Sequence, residues 1–464
     1  MQGKILIVDP IATNRILLKT KLGTAFFDVR QATSVAEALA LAYHDPPDLI
    51  ITAFYLCDAD ATALLDGLAP KAGGQRTPVI AIGETGDSAL RQRFLSRGAQ
   101  DVLIKPVVDA FLLSRVRSLI RLYHSPEEWQ MRAETGHAFG LADPPACFQM
   151  SGHIQLVGSD KALNHIWAAQ LRQDNLNKIS VSAVGEAMTR LTGEGMPDVF
   201  VLALTPDKTS VTDQMHLISS IRANAGTRHC GIIVVQTDQN ADVAAIALDL
   251  GADDLMPQGF DVKELHLRLS ALLERKRQID RIRASVELGL REAIFDPLTG
   301  LYNRRYGLAE MTRQTRQATS DDLPFAVMMA DMDHFKRIND EHGHAAGDAV
   351  LVETARRLRT HLRPSDMAAR IGGEEFLLLL PGTNEAEATA VANRLRQAFE
   401  RTPFVIPGSA KLLTVTISIG LCLISRSDLA GDDISNAAID RADKALYAAK
   451  NKGRNCVLLD RPAA

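Results

Sequence analysis

Pro47-Asp48-Leu49-Ile50-Ile51-Thr52-Ala53 returns 150 residues later as Pro197-Asp198-Val199-Phe200-Val201-Leu202-Ala203. Each copy sets an unbroken apolar run behind Pro-Asp, the pattern of a strand buried on both faces of a parallel sheet. Lys4–Asp9, Val79–Ile82 and Val102–Ile104 read as further strands of the same kind. Between them lie helical stretches, the first being Thr13–Leu22 with Ile16, Leu17 and Leu22 expected on one side. Two more echoes follow in the same order. Val79–Ile82 is matched by Ile232–Val235, and Gly98-Ala99-Gln100-Asp101 by Gly251-Ala252-Asp253-Asp254. The fold class is therefore α/β multidomain, beginning with two copies of a doubly wound, flavodoxin-like (βα)5 domain.

The chain has 464 residues, enough for about three domains. Charge is balanced, with 52 basic against 56 acidic side chains, so no excess of cations is available to neutralise a nucleic-acid polymer. Apolar runs such as Ile232–Val235 and Phe376–Leu380 are far shorter than the ~20 residues of a membrane span. The N-terminal residues lack a signal-peptide pattern, and five cysteines without a CxxC pair fit reduced thiols. A cytoplasmic protein is expected.

Domain boundaries follow from the change of pattern. Residues 1–125 form the first α/β copy, 126–152 a linker containing several Gly and Pro, and 153–277 the second copy. One long helix is expected from Val262 to Ala293, its portion over 278–295 serving as a stalk with apolar residues at 3–4 spacing. Residues 296–464 form a third domain, where alternating elements surround an apolar strand–Gly-Gly–strand unit (Ala369–Leu380), fitting an α+β, palm-like fold.

Carboxylates mark the third domain's site. Asp331 and Asp333 end the strand Phe325–Ala330, and Glu374 and Glu375 follow the Gly372-Gly373 turn. Unpaired charges are too costly to bury, so all four are expected outside the core. Hard oxygens without His or Cys partners favour Mg²⁺ or Mn²⁺. Lys336, Lys450 and Arg454 are cations for a phosphate chain, and Asn339 and Asp348 flank a Gly-rich segment with acceptors suited to a guanine edge. An exposed acidic turn is the bland alternative.

Asp331-Met332-Asp333-His334-Phe335-Lys336-Arg337-Ile338-Asn339-Asp340, then Gly347-Asp348, then Arg370-Ile371-Gly372-Gly373-Glu374-Glu375-Phe376 resemble the GGDEF diguanylate cyclases in their GGEEF form. The opening Asp296-Pro297-Leu298-Thr299-Gly300 and the closing Ala442–Lys450 segment match as well. The two upstream copies are similar to response-regulator receiver domains, so the whole chain resembles the PleD-type receiver–receiver–GGDEF regulators. The resemblance implies condensation of two GTP molecules into cyclic di-GMP with release of pyrophosphate. It implies that Asp331, the Met332 carbonyl and Glu374 hold Mg²⁺ or Mn²⁺, with Glu374 also the base for the attacking 3′-hydroxyl and Glu375 beside it. Lys336 would neutralise transition-state charge, and Phe335, Asn339, Asp348, Gly372, Gly373, Lys450 and Arg454 would bind substrate. Since each domain holds one GTP, the active species would be a homodimer. Arg363-Pro364-Ser365-Asp366, with Arg394 on the following helix, resembles the family's inhibitory site for the product cyclic di-GMP; a helix-end ion pair is the plain alternative.

The receiver pattern fails at its centre. Where a phosphoacceptor Asp would stand, the copies have Ala53 and Ala203. The acidic pair of the first strand is reduced to Asp9-Pro10 and Gly158-Ser159. The hydroxyl residue after the fourth strand is replaced by Gly83 and Gln236, and only the first copy keeps Lys105-Pro106. Neither copy is expected to be phosphorylated; both would serve dimerisation, or binding of a protein partner or ligand. The competing reading is a catalytically idle cyclic di-GMP receptor or signalling scaffold.

Overall fold

The computed structural model describes residues 3–68, 77–84, 87–138, 151–173, 177–189, 191, 195–205, 208–321, 324–405, 412–424 and 434–460. The chain divides into two compact units, Met1–Val286 and Glu287–Ala464. The first begins with β1 (Lys4–Val8), α1 (Ala12–Thr24), β2 (Asp28–Ala32), α2 (Val35–His44) and β3 (Leu49–Ala53). It continues with α3 (Ala61–Gly67), β4 (Val79–Gly83), α4 (Ser88–Ser96), β5 (Asp101–Ile104) and α5 (Asp109–Ala138). All pairings are parallel, in the order β2-β1-β3-β4-β5. Ile5, Ile7, Ile51 and Ile80 are buried, as an apolar run between two helix layers requires.

The arrangement then repeats through β6 (His153–Gly158), α6 (Lys161–Gln173), β7 (Lys178–Ser182), α7 (Val184–Thr189) and β8 (Val199–Leu204). It closes with α8 (Lys208–Ala223), β9 (Gly231–Gln236), α9 (Ala241–Leu250), β10 (Asp254–Met256) and α10 (Val262–Ile294). The sheet order β7-β6-β8-β9-β10 is that of the first copy. Helix α5 continues to Ala138, into the span read as a linker, while the Gly- and Pro-rich residues 139–150 lie outside the described residues. One expectation fails on α1. Leu22 is buried, but Ile16 and Leu17 are 61% and 54% exposed. At roughly 100° per residue, both point well away from Leu22 rather than sharing its face.

The two copies are joined by buried charge. Arg115 on α5 is fully buried and donates through Nε to Asp101 Oδ2 at 2.6 Å and through Nη2 to Asp254 Oδ1 at 2.5 Å. Arg268 on α10 is its counterpart, paired with Asp254 at 2.5 Å, Asp101 at 2.9 Å and Glu264 at 2.8 Å. Glu264 also takes Arg91 of the first copy at 2.9 Å. Burial pushes the Asp101 carboxyl up, but Arg115 and Arg268 outweigh it and hold the group well below its usual range. Around the cluster, apolar residues of α5 (Leu112, Val116, Leu119) and of α9 (Ala244, Ala247, Leu248) belong to one continuous core.

The second unit contains α11 (Arg304–Asp321), β11 (Phe325–Met332), α12 (Phe335–His342), α13 (His344–His361), β12 (Met367–Arg370) and β13 (Glu375–Pro381). After α14 (Glu385–Arg401) come β14 (Phe404–Val405), β15 (Leu412–Leu413), β16 (Ile417–Ile424), α15 (Ile434–Asn451) and β17 (Val457–Asp460). The main sheet runs β12-β13-β11-β16-β17, with β11 antiparallel to both neighbours. The apolar residues from Leu412 to Ile424 form two strands: β15 pairs with β14 in a separate ribbon, and β16 enters the sheet. Asp331 lies near the C-terminal end of this central strand, between Glu375 of β13 and Ser418 of β16.

Candidate active site

Antiparallel pairing of β11 with β13 sets Asp331 opposite Glu375, and the Met332 N–H donates to the Glu374 carbonyl at 3.3 Å. The hairpin between β12 and β13 thus brings the Gly372–Glu375 turn to the carboxyl-bearing end of β11. Arg370 secures the turn. Its Nε donates to the carbonyls of Gly372 and Gly373 at 3.2 and 3.1 Å, its Nη2 to Gly373 at 2.7 Å, and its Nη1 to Asp296 Oδ1 at 3.2 Å. Arg370 and Asp296 were read as motif residues without a role. The signal was present, since an Arg two residues before a Gly-Gly turn can reach its carbonyls.

The four carboxylates are not all outside the core. Asp331 and Asp333 are each only 4% exposed, which corrects the expectation. Burial is tolerated because both carboxylates are compensated. Lys450 on α15 reaches Asp331 Oδ2 at 2.8 Å. Asp333 accepts from Thr416 Oγ1 and Ser418 Oγ at 2.7 Å each and from the Asn455 N–H at 3.0 Å. It therefore organises β16 and the turn after α15, where Arg454 and Asn455 adopt positive φ of 65° and 46°. Glu374 and Glu375 remain half-buried.

Asp331 is electrostatically poised. Burial pushes its pKa up to about 6; Lys450 opposes this, and the adjacent Glu374 and Glu375 carboxylates add to it. A carboxyl raised in this way beside two more holds negative charge that one lysine does not relieve. The donor set fits a hard divalent cation, which would cancel that repulsion. Among the described residues no group of three or more His, Cys, Asp or Glu stands at metal-binding spacing.

Further residues expected to bind substrate lie on α12, on α13 and at the end of α15. Lys336 is exposed on α12, while Phe335 beside it is buried. The Asn339 carboxamide packs against Gly347, where a Cβ would meet its Oδ1 at 1.9 Å, and the exposed Asp348 follows directly. Asn339 and Asp348 are thus brought together by a glycine that only lack of a side chain permits. Lys450 is drawn to Asp331, whereas Arg454 is exposed on the following turn.

Arg363 and Asp366 close a turn after α13: the Arg363 N–H donates to Asp366 Oδ2 at 2.8 Å, and the Asp366 N–H to the Arg363 carbonyl at 3.0 Å. From α14, Arg394 Nη2 donates to the His361 carbonyl at 2.8 Å, beside that turn. The three residues share one surface, with both guanidinium-bearing side chains exposed.

In the first α/β copy Ala53 ends β3, and a Cβ at Gly83 would lie 2.0 Å from Phe54 Cδ2, so the Phe54 ring fills the space beyond β4. That ring packs on Phe94 at 5.0 Å between centroids. The remaining acid, Asp9, accepts from the Ile11 N–H at 2.8 Å and Asn14 Nδ2 at 3.0 Å. In the second copy Gln214 Nε2 donates to the Ala203 carbonyl at 2.8 Å, and Asn164 packs against Gly158. No helix among the described residues is long and apolar enough to cross a membrane.

Residues 293–456 match the family described as "Diguanylate cyclase, GGDEF domain", and residues 5–117 match the response regulator receiver domain. The response regulator PleD of Caulobacter vibrioides is 31% identical over 461 residues, covering 99% of each chain. The diguanylate cyclase DgcP of Pseudomonas aeruginosa is 40% identical over 200 residues, 42% of this chain and 28% of that one. Among solved structures, the coiled coil and GGDEF domain of DgcB from Caulobacter crescentus in complex with c-di-GMP is 28% identical, covering 42% of this chain and 99% of that one, with a TM-score of 0.37. With two receiver-type folds, a GGEEF-bearing palm and similarity along its whole length, this chain belongs to the PleD-like response regulators of the GGDEF diguanylate cyclase family.

Proposed function

We propose that the chain condenses two GTP molecules into cyclic di-GMP and two pyrophosphates. The observation that carries this reading is the register of β11 and β13, which sets Asp331 beside Glu374 and Glu375 at the open end of the sheet. A divalent cation, Mg²⁺ or Mn²⁺, would be held by Asp331, the Met332 carbonyl and Glu374, and when bound supplies Lewis-acid polarisation of the phosphate oxygens. Glu374 accepts the proton of a 3′-hydroxyl as that oxygen bonds to the α-phosphorus of the second GTP. The α–β anhydride bond breaks, and pyrophosphate leaves with the bond's electron pair. Lys336 is positioned to meet charge on the transferring group, and Lys450 and Arg454 the phosphate chain. Asn339 and Asp348 accept the guanine donors. The cycle closes when the same step runs in the opposite sense, so two GGDEF domains must face each other in a homodimer.

Cyclic di-GMP returns as inhibitor to Arg363, Asp366 and Arg394, where arginine forks grip phosphate or guanine edges. The receiver-type domains act without phosphorylation, a reading supported by Ala53, Ala203 and the Phe54 ring. They bind a protein partner or ligand, or hold the dimer.

The test is the purified chain with GTP and Mg²⁺, cyclic dinucleotide being followed by chromatography. Product is expected, Glu374→Gln abolishes it while sparing cyclic di-GMP binding, and Arg363→Ala relieves inhibition at unchanged maximal rate. Absence of product at concentrations where the chain dimerises would overturn the reading in favour of a receptor. Incubation with acetyl phosphate and Mg²⁺ should leave residues 1–270 unmodified by mass spectrometry; a phospho-aspartate there would refute the receiver assignment.

A further inference from the structure

The first unit carries a concentration of positive charge that none of the GGDEF chemistry uses. A cleft of about 380 Å³ opens between the end of α5, the α8–β9 turn, the end of α9 and α10. Arg121, Arg222, Arg228, Arg275 and Lys276 line it, against two carboxylates, Asp249 and Asp253. Both carboxylates are engaged. Asp253 takes Arg222 at 2.6 Å, and Asp249 takes Arg117, outside the cleft, at 2.8 Å. Lys276 is held by Asp280.

Three guanidinium groups, those of Arg121, Arg228 and Arg275, form no ion pair within 4 Å among the described residues, and Asp249 and Asp253, already engaged, are the carboxylates that face them. Arg121 donates to the Leu248 carbonyl at 2.8 Å, Arg228 to His229 Nε2 at 3.1 Å, and Arg275 to the Leu122 carbonyl. Arg275 also keeps its Nε and Nη1 buried without an acceptor. Nearby titrations register the same field. Burial, then Arg283, Arg228 and Lys276, push the His229 imidazole down to about 4. Burial lowers Arg121 and Arg275 too; Asp253 opposes the shift in both, and Arg222 adds to it.

Cations clustered this way repel one another, and an anion among them removes the repulsion. Planar guanidinium forks match phosphate oxygens in pairs, and the cleft has the capacity of small-ligand sites. Leu122, Leu272 and Ile279 form an apolar wall beside the charged one. We propose that this cleft binds a small phosphorylated anion of two or more negative charges, placing a ligand site at the junction of the two receiver-type domains.

Inorganic pyrophosphate is a suitable probe. Its binding to the full chain is measured by calorimetry in EDTA at fixed ionic strength, beside the double variant Arg121→Gln/Arg228→Gln. Neither arginine belongs to the apolar core, and the contacts given up are the Arg121 bond to the Leu248 carbonyl and the Arg228 bond to His229. Saturable binding is expected, weakened about tenfold or more in the double variant, as loss of charge-assisted contacts requires. Absence of saturable binding, or a smaller change on substitution, overturns the assignment, because pyrophosphate would then be held elsewhere or not at all. Circular dichroism of the variant verifies that its fold is retained.

Discussion

Replacing Arg115 by Met tests whether the two receiver-type domains are one cooperative body. Arg115 makes four hydrogen bonds: to Asp101 at 2.6 Å and the Gln100 carbonyl at 3.1 Å in its own domain, and to Asp254 at 2.5 Å and the Asp253 carbonyl at 2.8 Å in the other. Removing one member of a buried ion cluster costs about 3–5 kcal/mol. Asp101 and Asp254 would keep Arg268, so the lower end, about 3 kcal/mol, is expected. For a pair of small domains losing urea resistance at about 3 kcal/mol per molar, that is a midpoint about 1 M lower. Trp167 provides a local reporter, because it is buried in the second domain and stacked on Phe260 at 4.6 Å. In a Trp129→Phe background, its fluorescence follows the domain that Arg115 does not belong to. If the Trp167 midpoint moves by less than about 0.2 M, the ion cluster does not couple the domains.

Three further outcomes follow from the active-site geometry. In EDTA, Asp331 takes up its proton at about 6 instead of 3.8, so the folded state binds more protons across that interval. Its contribution is therefore full below about pH 4 and lost as pH rises through about 6, a fall of about 3 kcal/mol that Asp331→Asn should abolish in thermal melts across pH. A slope that survives the substitution refutes the assignment. Gly347→Ala drives a methyl into Asn339 Oδ1, so KM for GTP should rise about tenfold with kcat within about threefold; an unchanged KM would remove Asn339 from guanine recognition. Asp333→Ala strands one buried donor (Ser418) and two part-buried ones (Thr416 and the Asn455 N–H) and should lower stability by about 2 kcal/mol in urea titrations, where a loss under about 0.5 kcal/mol would show that the network is not structural.

Strand identity was legible wherever apolar runs were unbroken, as at Leu49–Ala53 and Phe325–Met332, because burial on both faces leaves no other reading. The duplication was legible from ordered echoes. What escaped were properties set by partners distant in the chain. Asp333 is buried because Thr416, Ser418 and Asn455 converge on it, and nothing within its own segment announces them. Ile16 and Leu17 satisfied a rough helical spacing, yet the azimuth that faces the sheet is fixed by Leu22. The Asp101–Arg115–Asp254–Arg268 cluster lay in both repeats as an Asp followed by an Arg, and acquires meaning only when the copies meet.

Phe54 bears on how this architecture can evolve. A carboxylate placed at position 53 would supply a nucleophile but no room for a hydroxyl at position 83, whose place the aromatic ring holds. Shrinking the ring alone would leave a cavity against Phe94 and cost stability before any signal is gained. No single substitution therefore makes room there without loss, because position 83 and the Phe54 ring compete for one volume. The aromatic residue acts as a latch on the geometry beyond β4, which changes only if both positions change together.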